Sequence, residues 1–310
     1  MKPMIDHNPY PQPNSNTVCS WEGYLYFVYE REAMRIAREN DYKGALSEDP
    51  TLCEYRFTNI RRRDDRMTQW FIEHLIQPFV NRQDLWFTLL IARLVNWPPT
   101  LQRLLANNVI PCEPKDFNPT LFSYTVESLK GDGKVFGNAY MVYPTMKDPG
   151  SLKSYRIAKH IIGDAVLKAS QINYALWDAE MREPCIERFV AELSTVFGVS
   201  TFTAGQVAAD LTYDPGHLGN AVDLYCYAPL GPGSQAGLNL LHKRKLTLSW
   251  NQADFNAALM EANEKIAEEL DITDLTLHDV QNTMCEYSKY AKSTLKIARP
   301  RRLYTPELAY

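Results

Sequence analysis

A mainly α-helical chain is what the sequence predicts, and three observations predict it. Apolar residues recur at three- and four-residue spacing, the breaks between those stretches carry helix-stop chemistry, and one pair of alternating segments supplies the strand signal. In order, the helical patterns run over Glu30 to Glu39, Asn59 to Val80, Leu85 to Asn96, Tyr155 to Trp177, Ile186 to Phe197, Phe202 to Leu211, Ala253 to Leu270 and Leu277 to Ile297. Trp97-Pro98-Pro99 stops the third pattern, because proline removes a backbone donor and its ring clashes with the preceding turn. Gly198 follows Phe197 as a residue suited to the left-handed conformation that ends helices, and Asp214-Pro215-Gly216 closes the pattern that follows. Between these helices Leu121 to Val126 and Val135 to Tyr143 alternate around Gly131-Asp132-Gly133, which predicts a small β-hairpin.

Composition narrows the function classes. With 310 residues, 45% of them hydrophobic, the chain can bury a substantial core. Its longest apolar run, Leu85 to Val95, is interrupted by Thr88 and Arg93 before bilayer-spanning length, so no membrane partner is expected. Met1 to Asn16 is rich in proline and asparagine and lacks an apolar stretch behind a basic start. That excludes a secretory signal and predicts a flexible arm over residues 1–20. A boundary near Asp148-Pro149-Gly150 would then part residues 21–150, a helical layer with the hairpin, from a helical half over 151–310. Six widely spaced cysteines without Cys-x-x-Cys point to reduced thiols and a cytoplasmic setting.

A formal charge of −4 gives no global attraction to nucleic acid, so any such binding falls to local patches. Three stand out: Arg61, Arg62, Arg63 and Arg66; His242 to Lys245; and Lys289, Lys292, Lys296, Arg299, Arg301 and Arg302. Gly131-Asp132-Gly133-Lys134 runs into Val135 and lacks the loop of a phosphate-binding P-loop, no Gly-x-Gly-x-x-Gly follows a strand, and no histidine recurs in a zinc spacing. Phe197-Gly198-Val199-Ser200-Thr201-Phe202-Thr203-Ala204 joins two helical patterns by a small-residue turn. A turn of that kind aims backbone amides and a helix N-terminus at a phosphate, through Gly198, Ser200, Thr201 and Thr203; an ordinary helical hairpin is the plain alternative.

Around that turn the chain resembles the helix-hairpin-helix DNA glycosylases, through Gly198-Val199, Thr203-Ala204 and Val207. Ser200 replaces their second glycine and Phe202 stands where lyase-active members carry lysine, which argues against a Schiff base. Their iron–sulfur cysteine spacing is missing too. A broader resemblance is carried by four ordered signatures. They are Tyr55 to Arg66 (Tyr-Arg-Phe-Thr-Asn-Ile-Arg-Arg-Arg-Asp-Asp-Arg), Phe202 to Leu211, Gly231-Pro232-Gly233-Ser234 with Gly237-Leu238-Asn239, and Asp279-Val280-Gln281 with Cys285-Glu286-Tyr287 and Lys289-Tyr290. From about Glu30 to Arg302 these are similar to the phage α-glutamyl/putrescinyl thymine pyrophosphorylases, or amino acid:DNA transferases. A related helical domain is fused to 5-hydroxymethyluracil DNA kinases.

The resemblance implies a helix-hairpin-helix glycosylase-like architecture and an enzyme acting in the cytoplasm of an infected bacterial host. An amino acid or polyamine amine would displace pyrophosphate from 5-pyrophosphoryloxymethyluracil in double-stranded phage DNA, with a hydroxymethyluracil DNA kinase as an associated partner. On a helix, Asn59, Arg62, Arg63 and Arg66 would share one face and stabilise the leaving pyrophosphate, with Arg61 and Asp65 an i,i+4 pair. Asp223, just before the aromatics Tyr225 and Tyr227, and Asp210 are the candidate bases for the amine. Ser234, Glu286 and Lys289 are candidate substrate ligands, the last two also able to pair one helical turn apart. Gly231, Gly233, Lys243 and Lys245 join the hairpin as candidate DNA contacts, and Trp177, Trp250, Tyr225 and Tyr227 as stacking partners for an extruded base. Pyrophosphate often travels with magnesium, yet no carboxylate cluster compels a metal. Two other readings stand beside the transferase: a monofunctional base glycosylase, and a non-catalytic DNA-binding partner of the kinase.

Overall fold

The computed structural model describes residues 8–42, 44–80, 82–138, 142, 148, 150–176, 183–300 and 303, and the described elements are helical. They are α1 (Trp21–Glu39), α2 (Pro50–Glu54), α3 (Arg66–Phe71), α4 (Leu85–Val95), α5 (Pro98–Ala106), α6 (Pro119–Ser128), α7 (Lys153–Tyr155), α8 (Gly163–Leu167), α9 (Ala169–Leu176), α10 (Ile186–Leu193), α11 (Thr201–Leu211), α12 (Pro232–Leu241), α13 (Gln252–Leu270) and α14 (Leu277–Thr294). Contacts divide the chain into two compact units, Met1–Asp65 with Leu230–Tyr310, and Arg66–Pro229. The boundary expected near Asp148-Pro149-Gly150 falls inside the second unit.

The first unit is organised around α14. Thr276 and Asp279 close a reciprocal capping box at its start, satisfying amide groups that a helix end leaves without partners. Tyr24 and Phe27 of α1 meet Tyr287 and Tyr290 of α14 with ring centroids 5.1 Å apart in each pair. All four rings are fully buried, each burial stabilising by roughly 1.5–3 kcal/mol. On another side α12 lies so close to α14 that a Cβ on Gly233 would sit 2.2 Å from Cys285 Sγ, and one on Gly237 2.3 Å from the Met284 carbonyl.

The second unit is built round α4, which is buried along its whole length from Leu85 to Val95. Its core takes in Phe189, Val190 and Leu193 from α10 and Ala204, Val207, Ala208 and Leu211 from α11. α7 runs through π-helical turns over Arg156–Ile162 into α8.

Three expectations are corrected. Leu121 to Val126 is part of helix α6: Asn118 caps it by accepting the amides of Thr120 and Leu121, each at 3.0 Å, and Pro119 starts it. Phe122 and Val126, four residues apart, form its buried side. Four of the nine residues of the second expected strand (139–141 and 143) lie outside the described residues, and among those described no strand forms beyond an isolated bridge between Tyr55 and Leu303. The continuous helix expected over Asn59 to Val80 is instead an extended lead-in, a 3-10 turn at Arg62–Asp64, α3, a π turn at Ile72–Ile76 and a 3-10 turn at Gln77–Phe79. Finally, the expected flexible arm is held from Asn8 onward. Asn8 donates to the Tyr26 carbonyl and Glu30 Oε1 (both 3.1 Å), Tyr10 donates to Glu269 (3.1 Å), and buried Val18 accepts the Tyr287 hydroxyl. Residues 1–7 lie outside the described part.

Candidate active site

Within the first unit, a charged cluster assembles where the segment Phe57–Asp65 passes α1 and α14. Helical spacing puts Arg31, Glu32 and Arg35 of α1 within one turn, and Asp279, Thr283 and Glu286 of α14 along one face. Arg31 holds the segment extended by donating to the carbonyls of Phe57 (3.0 Å) and Thr58 (3.2 Å). From α14, Asn282 donates to Thr58 Oγ1 (3.0 Å), Thr283 to the Ile60 carbonyl (3.2 Å), and Glu286 Oε2 accepts the Thr58 amide at 3.4 Å. Asp279 serves two tasks. Its Oδ2 closes the helix cap and its Oδ1 accepts the Arg62 amide at 2.8 Å.

These bonds explain why Asn59 to Arg61 is not helical. The amide of Asn59 goes to Asp65 Oδ1 (2.9 Å), its side-chain nitrogen goes to the Asp64 carbonyl (2.8 Å), and the Arg62 amide is taken by Asp279. Asn59, expected to face pyrophosphate, therefore caps the arginine turn. Arg61 does not pair with Asp65. It bridges Glu32 (2.7 Å) and both oxygens of Asp274 (2.8 and 2.7 Å), while Arg35 joins Glu32, Glu39 and, at 3.4 Å, Asp64. The hydrogen bond from Arg61 holds the Asp274 carboxyl below its usual range, and burial pushes the carboxyls of Asp64 and Asp279 up.

Asp65 has the strongest perturbation in the cluster. Burial raises its pKa to about 7, with the nearby Glu286 charge adding to the rise and the Asn59 amide, Arg62 and Arg31 opposing it. Asp65 Oδ1 is engaged by Asn59, and no described residue hydrogen-bonds Oδ2. Arg62 is 6% exposed and Glu286 4%, whereas Arg63 stands exposed. Lys289 pairs with Glu286, the plainer of the two roles expected for them. Arg66 is exposed and begins α3 in the second unit.

Other expected site residues have structural tasks. Ser234 is fully buried and donates to the Gly231 carbonyl (3.0 Å), and Gly233 permits the close approach of α12 to α14. Lys243 and Lys245 are exposed beyond α12, Lys243 in the left-handed conformation that ends a helix (φ 53°). Between them Arg244 lies over Trp250, 4.0 Å from the ring centre. In the second unit Asp210 is fully buried and grips Arg93 through both oxygens, with Arg93 also 4.8 Å from the Phe71 ring centre. Asp223 caps α10: its Oδ1 accepts the Ile186 amide and its Oδ2 that of Glu187, each at 2.8 Å.

The small-residue turn forms between α10 and α11. Gly198 has φ 76°, Ser200 caps α11 by accepting the Thr203 amide (3.2 Å), and Asp164 accepts the Phe197 amide (2.7 Å). Ser200 and Thr201 are exposed and Thr203 is buried. Tyr225 is exposed and Tyr227 buried, while Trp177, Arg301 and Arg302 lie outside the described residues. Among the described residues the six cysteines are free thiols, no group of carboxylates, histidines and cysteines is arranged to hold a metal, and no helix is long and apolar enough to cross a membrane.

Sequence reasoning quoted Asp65 and Asp279 but assigned neither to the site, and it missed Arg31, Glu32 and Asp274. Acids set inside an arginine run, Asp64-Asp65 between Arg63 and Arg66, were the available signal.

Among the described residues the elements are helical and carry a buried charge cluster, and the comparison places the chain with helical domains of DNA-modification proteins. The model of one family, the helical domain of 5-hmdU DNA kinase, matches residues 19–299, and the chain belongs to that family. The match ties it to hydroxymethyluracil DNA modification. No curated protein and no solved structure matches the chain.

Proposed function

We propose that this chain is a DNA thymine hypermodification transferase, in which an amine displaces pyrophosphate from 5-pyrophosphoryloxymethyluracil in phage DNA. One observation carries the reading: three of the four signature segments, Tyr55 to Asp65, Gly231 to Asn239 and Asp279 to Tyr290, come together in the first unit although far apart in sequence. The cluster they build mixes arginines with carboxylates. Guanidiniums such as Arg62 and Arg63 suit the oxygens of a departing pyrophosphate, whose charge grows as its bond breaks, so they stabilise the transition state more than the ground state. Carboxylates such as Asp65 and Glu286 suit an ammonium. An amino acid zwitterion or a polyamine both meet that description.

In the first unit DNA would be held by the exposed lysines Lys243 and Lys245; in the second, the turn at Gly198 to Thr203 would by itself contact the backbone without reading sequence. The test is to incubate the protein with duplex carrying pyrophosphorylated hydroxymethyluracil, the twenty amino acids and putrescine, with and without magnesium, then digest to nucleosides for mass spectrometry. A new nucleoside mass is expected; none with any amine removes the reading.

The family match itself favours one second reading, a DNA-binding module that serves a hydroxymethyluracil DNA kinase. It would bind DNA in the same assay and leave the nucleoside masses unchanged. The glycosylase reading is favoured less, since both oxygens of Asp223 are spent on backbone amides.

A further inference from the structure

The proton that the amine must lose has no acceptor at Asp210 or Asp223, whose oxygens are all engaged. The first unit supplies one. Asp65 ends the strap Phe57–Asp65, with Oδ1 fixed by the Asn59 amide and Oδ2 left without a hydrogen-bond partner among the described residues. Charged groups face it from each element packed there: Arg62 from its own turn, Arg31 from α1 and Glu286 from α14, the last already paired with Lys289.

Resting on the transfer reading above, we propose that Asp65 Oδ2 is the proton acceptor for the incoming ammonium group. The ammonium gives one proton to the Asp65 carboxylate and becomes a neutral amine. Its nitrogen lone pair forms the C–N bond to the exocyclic methylene as the C–O bond breaks, and pyrophosphate leaves with that bonding pair. The product departs as a secondary ammonium, and Asp65 returns its proton to water. Position suits the task, since Arg62 lies in the turn that ends at Asp65 and brings positive charge beside it, while Glu286 adds negative charge for the cation. Acidity suits it too: a carboxyl with a pKa of about 7 is a far stronger base than an ordinary aspartate, and it passes into its ionised form through neutral pH.

The experiment measures single-turnover transfer from pH 5.5 to 8.5 with saturating amino acids and putrescine on pyrophosphorylated duplex. Wild type should show a rate rising with pH to a midpoint near 7. Asp65→Asn should be slower by roughly 10²–10⁴-fold and lose that midpoint, while binding the duplex as wild type does. A variant within about threefold of wild type, or one keeping the same midpoint, overturns the role of Asp65 while leaving the transfer reading intact. If the wild type itself forms no adduct with any amine, the transfer reading falls and takes the role of Asp65 with it. A carbon-13 titration of the Asp65 carboxyl in wild type needs neither activity nor a folded variant: a midpoint near 7 supports the proposal and one below 5 overturns it.

Discussion

Replacing Asp65 by asparagine should make the protein more stable, by an amount that grows as pH rises from about 4 to about 7 and is constant above that. Burial lifts the carboxyl from an ordinary 3.8 to about 7, so between those values the folded chain holds a proton that the unfolded chain has released. Where the native state binds more protons, stability falls as pH rises. The wild type therefore loses stability between about pH 4 and pH 7 and stays at the lower level above it. Three units at about 1.36 kcal/mol each set a ceiling near 4 kcal/mol, and the partial exposure of the side chain brings the expected loss to roughly 2–3 kcal/mol. Asparagine keeps an oxygen for the Asn59 amide and does not ionise. Urea unfolding of both proteins at pH 4, 6 and 8, followed by circular dichroism, should show a gain for the variant near zero at pH 4 and largest at pH 8. A gain independent of pH, or a wild type more stable at pH 8, would refute the reasoning.

Asp210→Ala should cost about 3–5 kcal/mol, because it breaks a buried ion pair, and adding Arg93→Met should recover part of that loss in the same urea measurement. A single-variant cost under about 1 kcal/mol would show that the pair is not structural. Asp223→Ala removes the cap of α10 and should cost about 1–2 kcal/mol, seen as a lower unfolding midpoint. Gly233→Ala places a methyl against Cys285 Sγ and should cost about 1–3 kcal/mol, with most of the loss recovered when Cys285→Ala is added; equal losses in the single and double variants would argue against that contact.

Helix periodicity made α13 readable in advance, because its buried Phe255, Ala258, Leu259, Ala262, Ile266 and Leu270 recur at three- and four-residue spacing; α4 and α11, buried nearly throughout, were readable from the stop chemistry at Trp97-Pro98-Pro99 and Asp214-Pro215-Gly216. Alternation misled at α6, where Leu121 and Tyr124 interrupt the pattern from exposed positions and the decisive signal was the Asn118-Pro119 start. The segment after Asn59 was unreadable for a different reason. Its amides are claimed by Asp65 and by Asp279, more than two hundred residues further on, and no local window contains that competition. Long-range partners likewise hid Arg61, which reaches Asp274 rather than its neighbour Asp65. The signatures of Tyr55 to Arg66 and Asp279 to Tyr290 did mark the right stretches. Which of their side chains are held by neighbours and which retain a bare oxygen depended on coordinates.

Because the first unit draws on both Met1–Asp65 and Leu230–Tyr310, its early segment leaves the ribosome long before α14 exists to receive Tyr24 and Phe27. Arg66–Pro229, being continuous, has all its contacts available first. Nascent α1 must therefore wait with apolar rings uncovered while the intervening stretch is translated, a period in which chaperones have most to shield.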